Sequence, residues 1–246
     1  MNDVLTTLFN HKSDRSFLSK PISNELLDNV VKAAYHAPTS INSQQVSVIV
    51  VQDQERRQRL SKLCGGQPWI AQAPVFLVFV FDMNKTKLGM QMVNQEQKAQ
   101  QSIESIISGS TDVGIALTSA LVAAHSQGLG GVPIGGIRLH PQEVIDELQL
   151  PENTFAIAGL SLGYVDKPAH IKPRLPMATF RHEEHYQSEN LNENIQQYNQ
   201  TLRDHWQTIG RSDGEDWSHS ISGYYARVYY PDVAPTLIKQ GFTNKF

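Results

Sequence analysis

Apolar positions along the chain switch between two periods, and the switches outline alternating helices and strands. From Asn24 to Ala37, Leu26, Leu27, Val30, Val31 and Ala34 share one face at helical spacing. Ser23 is placed to cap that helix after Pro21, and Pro38 ends it by pushing its predecessor out of helical geometry. Val46 to Val51 is a β-branched run that predicts a strand. A short charged helix comes next over Gln54 to Leu63. Val75 to Phe81 is nearly continuously apolar, which predicts a strand buried on both faces. Helical periodicity returns from Gln97 to Gln127, through Ile103, Ile106, Ile107, Leu117, Ala120, Leu121 and Ala124. Gly109 or Gly114 is a point where this helix kinks or breaks, and Gly128 is its stop. A third strand is expected over Gly131 to Ile137, a proline-initiated helix over Pro141 to Leu148, and a fourth strand over Phe155 to Leu162. From Tyr164 the chain is proline-rich, then mostly helical, and closes on an aromatic tail with Tyr224, Tyr225, Tyr229 and Tyr230.

This order predicts an α+β or α/β domain of three layers. Its 246 residues fit one domain around one core, so a single domain is expected over 1–246. Beyond about Gln187 apolar positions are too sparse for a separate core. Residues 187–246 are therefore expected to form a helical extension lying across the main body or a partner subunit. Composition narrows the class. Net charge is −3, without the basic excess that nucleic acid or an anionic membrane surface calls for. The single cysteine, Cys64, excludes an intrachain disulfide and reads as a buried thiol. The opening MNDVLTTLFNHKSDRS lacks the basic start and apolar run of a secretory signal. Val113 to Ala124 falls short of the ~20 apolar residues of a membrane span. A cytoplasmic protein is expected.

Three motifs resemble catalytic signatures but lack their context. Gly159-Leu-Ser161-Leu-Gly163 matches a nucleophile elbow, yet Gly163 leads into YVDKPAHIKPRLP, whose prolines cannot open the required helix. His182-Glu-Glu-His185 lacks the i, i+4 spacing that puts two imidazoles on one metal, so no metal is expected. Gly128-Leu-Gly130-Gly131 runs from helix into strand, the reverse of a dinucleotide-binding turn.

Four other segments suit an anionic, flat ligand. His11-Lys12-Ser13-Asp14-Arg15-Ser16-Phe17 offers cations and hydroxyls for a phosphate. Ala37-Pro38-Thr39-Ser40-Ile41-Asn42-Ser43-Gln44-Gln45 is dense in hydrogen-bonding side chains that suit the polar edge of a heterocycle. Pro133-Ile134-Gly135-Gly136 puts two glycines in an apolar strand, which points to close approach by a ligand or another backbone. Lys172-Pro173-Arg174-Leu175-Pro176 holds two cations in a stiff turn. Each alone is also readable as a solvated turn, a polar loop, a bulge or a linker.

In this order and spacing, together with Gly65-Gly66-Gln67, these segments resemble the nitroreductase family. The likeness is closest to its branch of oxygen-insensitive NADPH nitroreductases and NADPH–flavin oxidoreductases. It runs through about residues 5 to 186 and weakens in the C-terminal sixty. The resemblance implies a three-layer α+β fold, a mixed central sheet flanked by helices, and an intertwined homodimer with FMN at the interface. It implies that His11, Lys12, Ser13 and Arg15, with Lys172 and Arg174, contact the phosphate and ribityl chain. Thr39 and Ser40 of the other subunit and Gln67 would hold the ribityl chain and ring edge, with Trp69 adjacent. Ile134, Gly135 and Gly136 would lie along the ring. Ile41 and Asn42 would wall the substrate cleft. NADH or NADPH would reduce the flavin, and a nitro compound, quinone or free flavin would then take two electrons in the same cleft. Since the flavin carries the electron chemistry, no catalytic side chain is expected.

The chain departs from that branch at several places. Lys12 stands where arginine is usual, Asp14 where an apolar residue is common, and Asn42 where a bulky apolar residue is usual. The segment Ile209-Gly-Arg-Ser-Asp-Gly-Glu-Asp-Trp217 carries one cation, Arg211, where NADPH-dependent relatives place several against the 2′-phosphate. NADH is therefore expected to serve at least as well as NADPH. The competing readings are a flavin-delivery protein with little turnover and a hydrolase at Ser161.

Overall fold

A computed structural model describes residues 2–243. In chain order its elements are α1 (Asp3–Phe9), α2 (Asn24–Tyr35), β1 (Val46–Val51), α3 (Gln54–Leu63), α4 (Pro68–Gln72), β2 (Val75–Asp82), α5 (Asn84–Gln91), α6 (Ile103–Ser126), β3 (Gly130–Ile134), α7 (Pro141–Leu148), β4 (Thr154–Gly163), α8 (Leu191–Thr208), α9 (Trp217–Tyr225) and α10 (Val233–Lys239). Single 3-10 turns cover Ser40–Asn42, Ala99–Gln101, Gly135–Arg138 and Met177–Thr179. Two compact units separate: residues 1–169 with 230–246, and residues 170–229.

In the first unit the strands lie in the order β1-β2-β4-β3. Every ladder is antiparallel, which corrects the mixed sheet that the resemblance implied. The reason is topological. β2 and β3 run the same way but β4 lies between them, and β2 likewise separates β1 from β4, so no two neighbours are parallel. β2 shows why this sheet is central. Val75, Leu77, Phe79 and Phe81 point into one buried cluster with Val30 of α2 and Val113, Ala120 and Ala124 of α6. Phe76, Val78 and Val80 point into the other, with Leu60 of α3, Ile70 of α4 and Val144 of α7. The side-chain period of two thus sorts one continuous apolar run onto two faces and makes three layers.

Ser23 caps α2 by accepting from Leu26 N–H, and Asp53 caps α3 by accepting from Arg56 N–H. α6 runs unbroken over 24 residues, so neither Gly109 nor Gly114 kinks it. Gly109 serves packing instead: a Cβ there would come within 2.3 Å of the Phe81 ring. By length and composition α6 could cross a membrane, with a mean hydropathy of 1.5. Nine of its residues are buried, from Ser105 to Ala124, as in a core helix. The predicted third strand stops early. β3 ends at Ile134, and Gly135 to Arg138 turn as a 3-10 helix with Ile137 fully buried. Apolar content there reflects burial rather than extended backbone.

The second unit holds α8 and α9. Its buried cluster is Tyr198, Leu202 and Trp206, with Leu175, Ile209 and Trp217 packed against it.

Candidate functional site

The segment from His11 to Phe17 is fixed by backbone pairing. Asp14 N–H donates to Gly131 O, Phe17 bridges Val165, and Asp166 N–H donates to Ser16 O. Asp14 is buried and accepts from Ala169 N–H at 2.9 Å. The acid of this cation-bearing segment is therefore a structural clasp turned inward. Arg15 is exposed, with its guanidinium 5.4 Å from the centre of the Trp69 ring. Lys12 and Ser13 are half-buried. His11 stacks on His125 of α6, ring centres 5.6 Å apart. Burial, and then the neighbouring His11, hold the His125 imidazole below its ordinary pKa.

Trp69 and Gln67 continue this wall. Gln67 precedes α4 and donates from Nε2 to Cys64 O at 2.8 Å. That same amide lies against Gly136, where a Cβ would come within 2.4 Å of Gln67 Nε2 and 2.6 Å of Cys64 O. The glycine pair therefore divides its roles. Gly136 is required by the Cys64–Gln67 turn. Gly135 is half-exposed, and a Cβ there would meet only Arg138, at 3.4 Å. Ile134, just before it, is buried in the sheet and not on an open face.

Arg138, which no sequence motif singles out, pins this turn. Between Phe79 and Val80 the β2–β4 register slips, leaving Ile157 without a strand partner. Arg138 Nη1 donates to the Ile157 carbonyl freed by that bulge. Its guanidinium also sits 5.7 Å from the Tyr230 ring centre. A lone arginine after two glycines carries no sequence signal for a bulge nineteen residues away.

The loop over Thr39 to Gln45 has a different anchor. Ile41, Asn42 and Gln44 all have left-handed backbone, with φ of 47, 56 and 50°. A β-branched residue there is a genuine outlier, and such residues cost about 1–3 kcal/mol each. Ser43 N–H donates to Ser40 O, and Gln44 N–H donates to Thr39 Oγ1 at 3.1 Å. Ser40 N–H and Gln45 Nε2 both donate to Asp112 of α6. Ile41 is 95% exposed at the tip. A cleft lined by Tyr35, Thr39, Gln44, Val48 and Lys85 lies beside it. Gln45 O also accepts from Asp82 N–H at the end of β2, so the loop's hydrogen bonds run within itself, to α6 and to β2.

Lys172, Arg174 and Arg211 belong to the second unit. There the Lys172 ammonium and the Arg211 guanidinium lie 5.4 and 4.8 Å from the Trp206 ring centre. Arg174 is exposed. Arg211 is paired with Asp213 at 2.9 Å.

Ser161 is fully buried within β4, and no helix succeeds the strand, so the elbow reading fails. His182 accepts from Gln187 N–H and lies tilted against the Tyr186 ring, in an exposed turn. Among the described residues no group of three metal-ligating side chains forms. Burial pushes the Cys64 thiol up to about 12, so it is no nucleophile at neutral pH.

These features fit a flavin mononucleotide. Arg15 and Lys12 would supply charge for a phosphate, and Gly135 would leave backbone open to a flat ring. Trp69 Nε1 is buried with no hydrogen-bond partner among the described residues, so a donor is left over beside that wall.

Comparison with known proteins agrees. Profiles of the Nitroreductase family and of its C-terminal domain match residues 8–164 and 172–245. An FMN reductase [NAD(P)H] of Bacillus subtilis is 43% identical over 247 residues, covering 98% of each chain. The solved structure of NfrA2 of B. megaterium superimposes with a TM-score of 0.97 at 41% identity over the whole of both chains. That of the NADPH:FMN oxidoreductase of Vibrio harveyi, complexed with NAD+, gives 0.89 at 34% identity over 99% of this chain and 100% of that one. With both profiles together spanning nearly all of it, the chain belongs to the nitroreductase family.

Proposed function

We infer that this chain is an FMN-dependent NAD(P)H oxidoreductase, working as a cytoplasmic homodimer that reduces nitro compounds, quinones or free flavin. The observation that carries the reading is the wall from Arg15 and Trp69 to Gln67, which lies against Gly136 beside the more open Gly135, in a chain of this family. Bound FMN supplies the two-electron chemistry. The chain's own residues bind and orient it. Arg15, Lys12, His11 and Ser13 hold the phosphate end, with Lys172 and Arg174 adding charge. Gln67 and Trp69 offer N–H groups to the ring edge, and Gly135 brings backbone to the ring, backed by the buried Gly136 and Ile134. Fixed cations and N–H dipoles favour a ring that gains negative charge.

Thr39 and Ser40 reach the site from the partner subunit, and Ile41 and Asn42 wall the cleft. Dimerisation accounts for apolar side chains that the chain leaves exposed: Val4, Leu5, Leu8 and Phe9 on α1, and Ile103, Ile107 and Ile115 on α6. The whole chain serves one FMN-binding domain, with 187–246 packed on the body or the partner. The grouping of residues 230–246 with the first unit supports packing on the body for its end.

An absorbance spectrum of the purified protein, followed anaerobically as NADH and then NADPH is added, tests the reading. About one FMN per chain, bleached within mixing, is expected. Bound flavin that stays oxidised would favour a carrier, and failure to bind supplied FMN would overturn the site.

A further inference from the structure

Asp112 is an unexpected residue in α6. It is 3% exposed, and among the described residues it takes part in no ion pair. Its oxygens accept from neutral donors instead: Ser40 N–H at 3.1 and 3.2 Å, and Gln45 Nε2 at 2.9 Å. A carboxylate buried without a counter-charge is costly, and an apolar residue at this helix position would avoid that cost. Its two donors lie at either end of one short stretch. Between Ser40 and Gln45 sit Ile41, Asn42 and Gln44, all three with left-handed backbone. Ile41, at 95% exposure, finds almost nothing in its own subunit to hold it in that conformation. Bonds within the loop close the turn, from Ser43 N–H to Ser40 O and from Gln44 N–H to Thr39 Oγ1, and Asp112 ties both ends of it down to α6.

We propose that Asp112 is a positioning residue for the acceptor side of the cleft: by clamping Ser40 and Gln45 it keeps Ile41 and Asn42 in their strained turn and so sets which electron acceptors reach the flavin. This rests on the reductase reading and on Ile41 and Asn42 as the cleft wall. The clamp also decides what the loop offers a ligand. Ser40 N–H is committed to the carboxylate, leaving the Ser40 hydroxyl. Thr39 Oγ1 accepts from Gln44 N–H, which leaves its O–H to donate outward. An unclamped turn relaxes toward right-handed backbone, and the Ile41 side chain moves with it.

Asp112→Asn keeps the shape but turns one acceptor oxygen into a donor facing donors. Gln45→Leu removes one arm and leaves the Ser40 bond intact. Both are made in the full-length, FMN-loaded protein. Amide hydrogen exchange at Asn42, Ser43 and Gln44 is expected to rise about 10-fold in Asp112→Asn, and less in Gln45→Leu, with β2 unchanged. The ratio of kcat/KM for menadione over nitrofurazone is expected to change by about 5- to 10-fold, because a moved wall treats the two shapes differently. Unchanged exchange in both variants would overturn the clamp. Equal loss with both acceptors would reduce Asp112 to a structural residue and overturn the specificity role. Hydrogen exchange needs no turnover, so a wild-type protein whose flavin NADH fails to bleach would sink the reductase reading separately.

Discussion

In the first unit β2 alone buries Val75 through Phe81 to 2% exposure or less, covered by helices on both faces. In the second unit the buried apolar cluster is three side chains, Tyr198, Leu202 and Trp206. Around them the order is polar. Asp216 is buried at the start of α9, where it accepts from His219 N–H at 3.0 Å and pairs with Arg203 at 2.6 Å and His219 Nδ1 at 2.8 Å. Trp206 Nε1 donates to Glu215 O at 2.8 Å, and its ring lies so close to Gly214 that a Cβ there would come within 2.2 Å. Non-directional burial scales with area and tolerates pH and salt. A unit whose small core is bounded by such polar bonds depends more on geometry and charge state. The proposed phosphate residues divide between the two regimes: Lys12 and Arg15 lie in the first, Lys172, Arg174 and Arg211 in the second.

Truncating one large aromatic in each unit breaks the comparison most directly. Phe79→Ala removes a fully buried ring from the first unit and is expected to cost about 3–5 kcal/mol. Denaturant unfolding should shift as a whole, with sites throughout the first unit opening together. Trp206→Ala should cost about 3 kcal/mol, but locally. Limited proteolysis followed by mass spectrometry should find new cleavage within 170–229 and none in β2. Equal cleavage of both regions would mean that they do not differ as described.

Protonation sharpens the same contrast. Asp216 is held below the usual carboxylate range, first by the His219 backbone N–H and then by the His219 side chain. A depressed carboxylate stabilises the fold above its unfolded pKa of about 3.9, and that stability is lost as pH falls through the lower folded value. Below about pH 4, then, the second unit should become protease-sensitive before β2 does. Asp216→Asn should bring that sensitivity to neutral pH at a cost of about 1.5–3 kcal/mol, the range for a hydrogen bond to a charged group. Unaltered sensitivity in that variant would show the carboxylate to be dispensable.

How far these regions are legible in the sequence depends on the range of the signals. β1, α3 and α7 have the bounds read from the sequence, because β-branched runs, the cap at Asp53 and Pro141 act within a few residues. Arg15 belongs to a cation-rich segment legible in the sequence, whereas Gln67 and Trp69 enter only through the family resemblance; Arg15 and Trp69 are neighbours in space. What escapes a sequence is a partner remote along the chain. Asp14 meets Ala169 across 155 positions, and Asp112 meets Ser40 across 72. Nothing local distinguishes such an acid from one facing water. Gly135 and Gly136 read as strand because Ile134 and Ile137 are apolar, but that apolarity records burial in a turn.

The smallest expected effect concerns donor choice and tests whether the polar character of the second unit reaches function. Arg211 is the single cation of the segment from Ile209 to Trp217, and it is engaged by Asp213 and stacked on Trp206. A 2′-phosphate would have to compete with that carboxylate and approach Glu215 and Asp216 as well. NADH, which lacks the phosphate, meets no such repulsion. Steady-state kinetics should therefore give NADH a kcat/KM at least equal to that of NADPH. Asp213→Lys removes the competitor and adds a second cation. The pair is solvent-exposed, so the gain belongs at the weak end for charge interactions, a shift of about 2- to 5-fold toward NADPH. Strong NADPH preference in the wild-type protein would mean that 2′-phosphate recognition lies outside this segment. An unmoved ratio in Asp213→Lys would separate Arg211 from donor binding altogether.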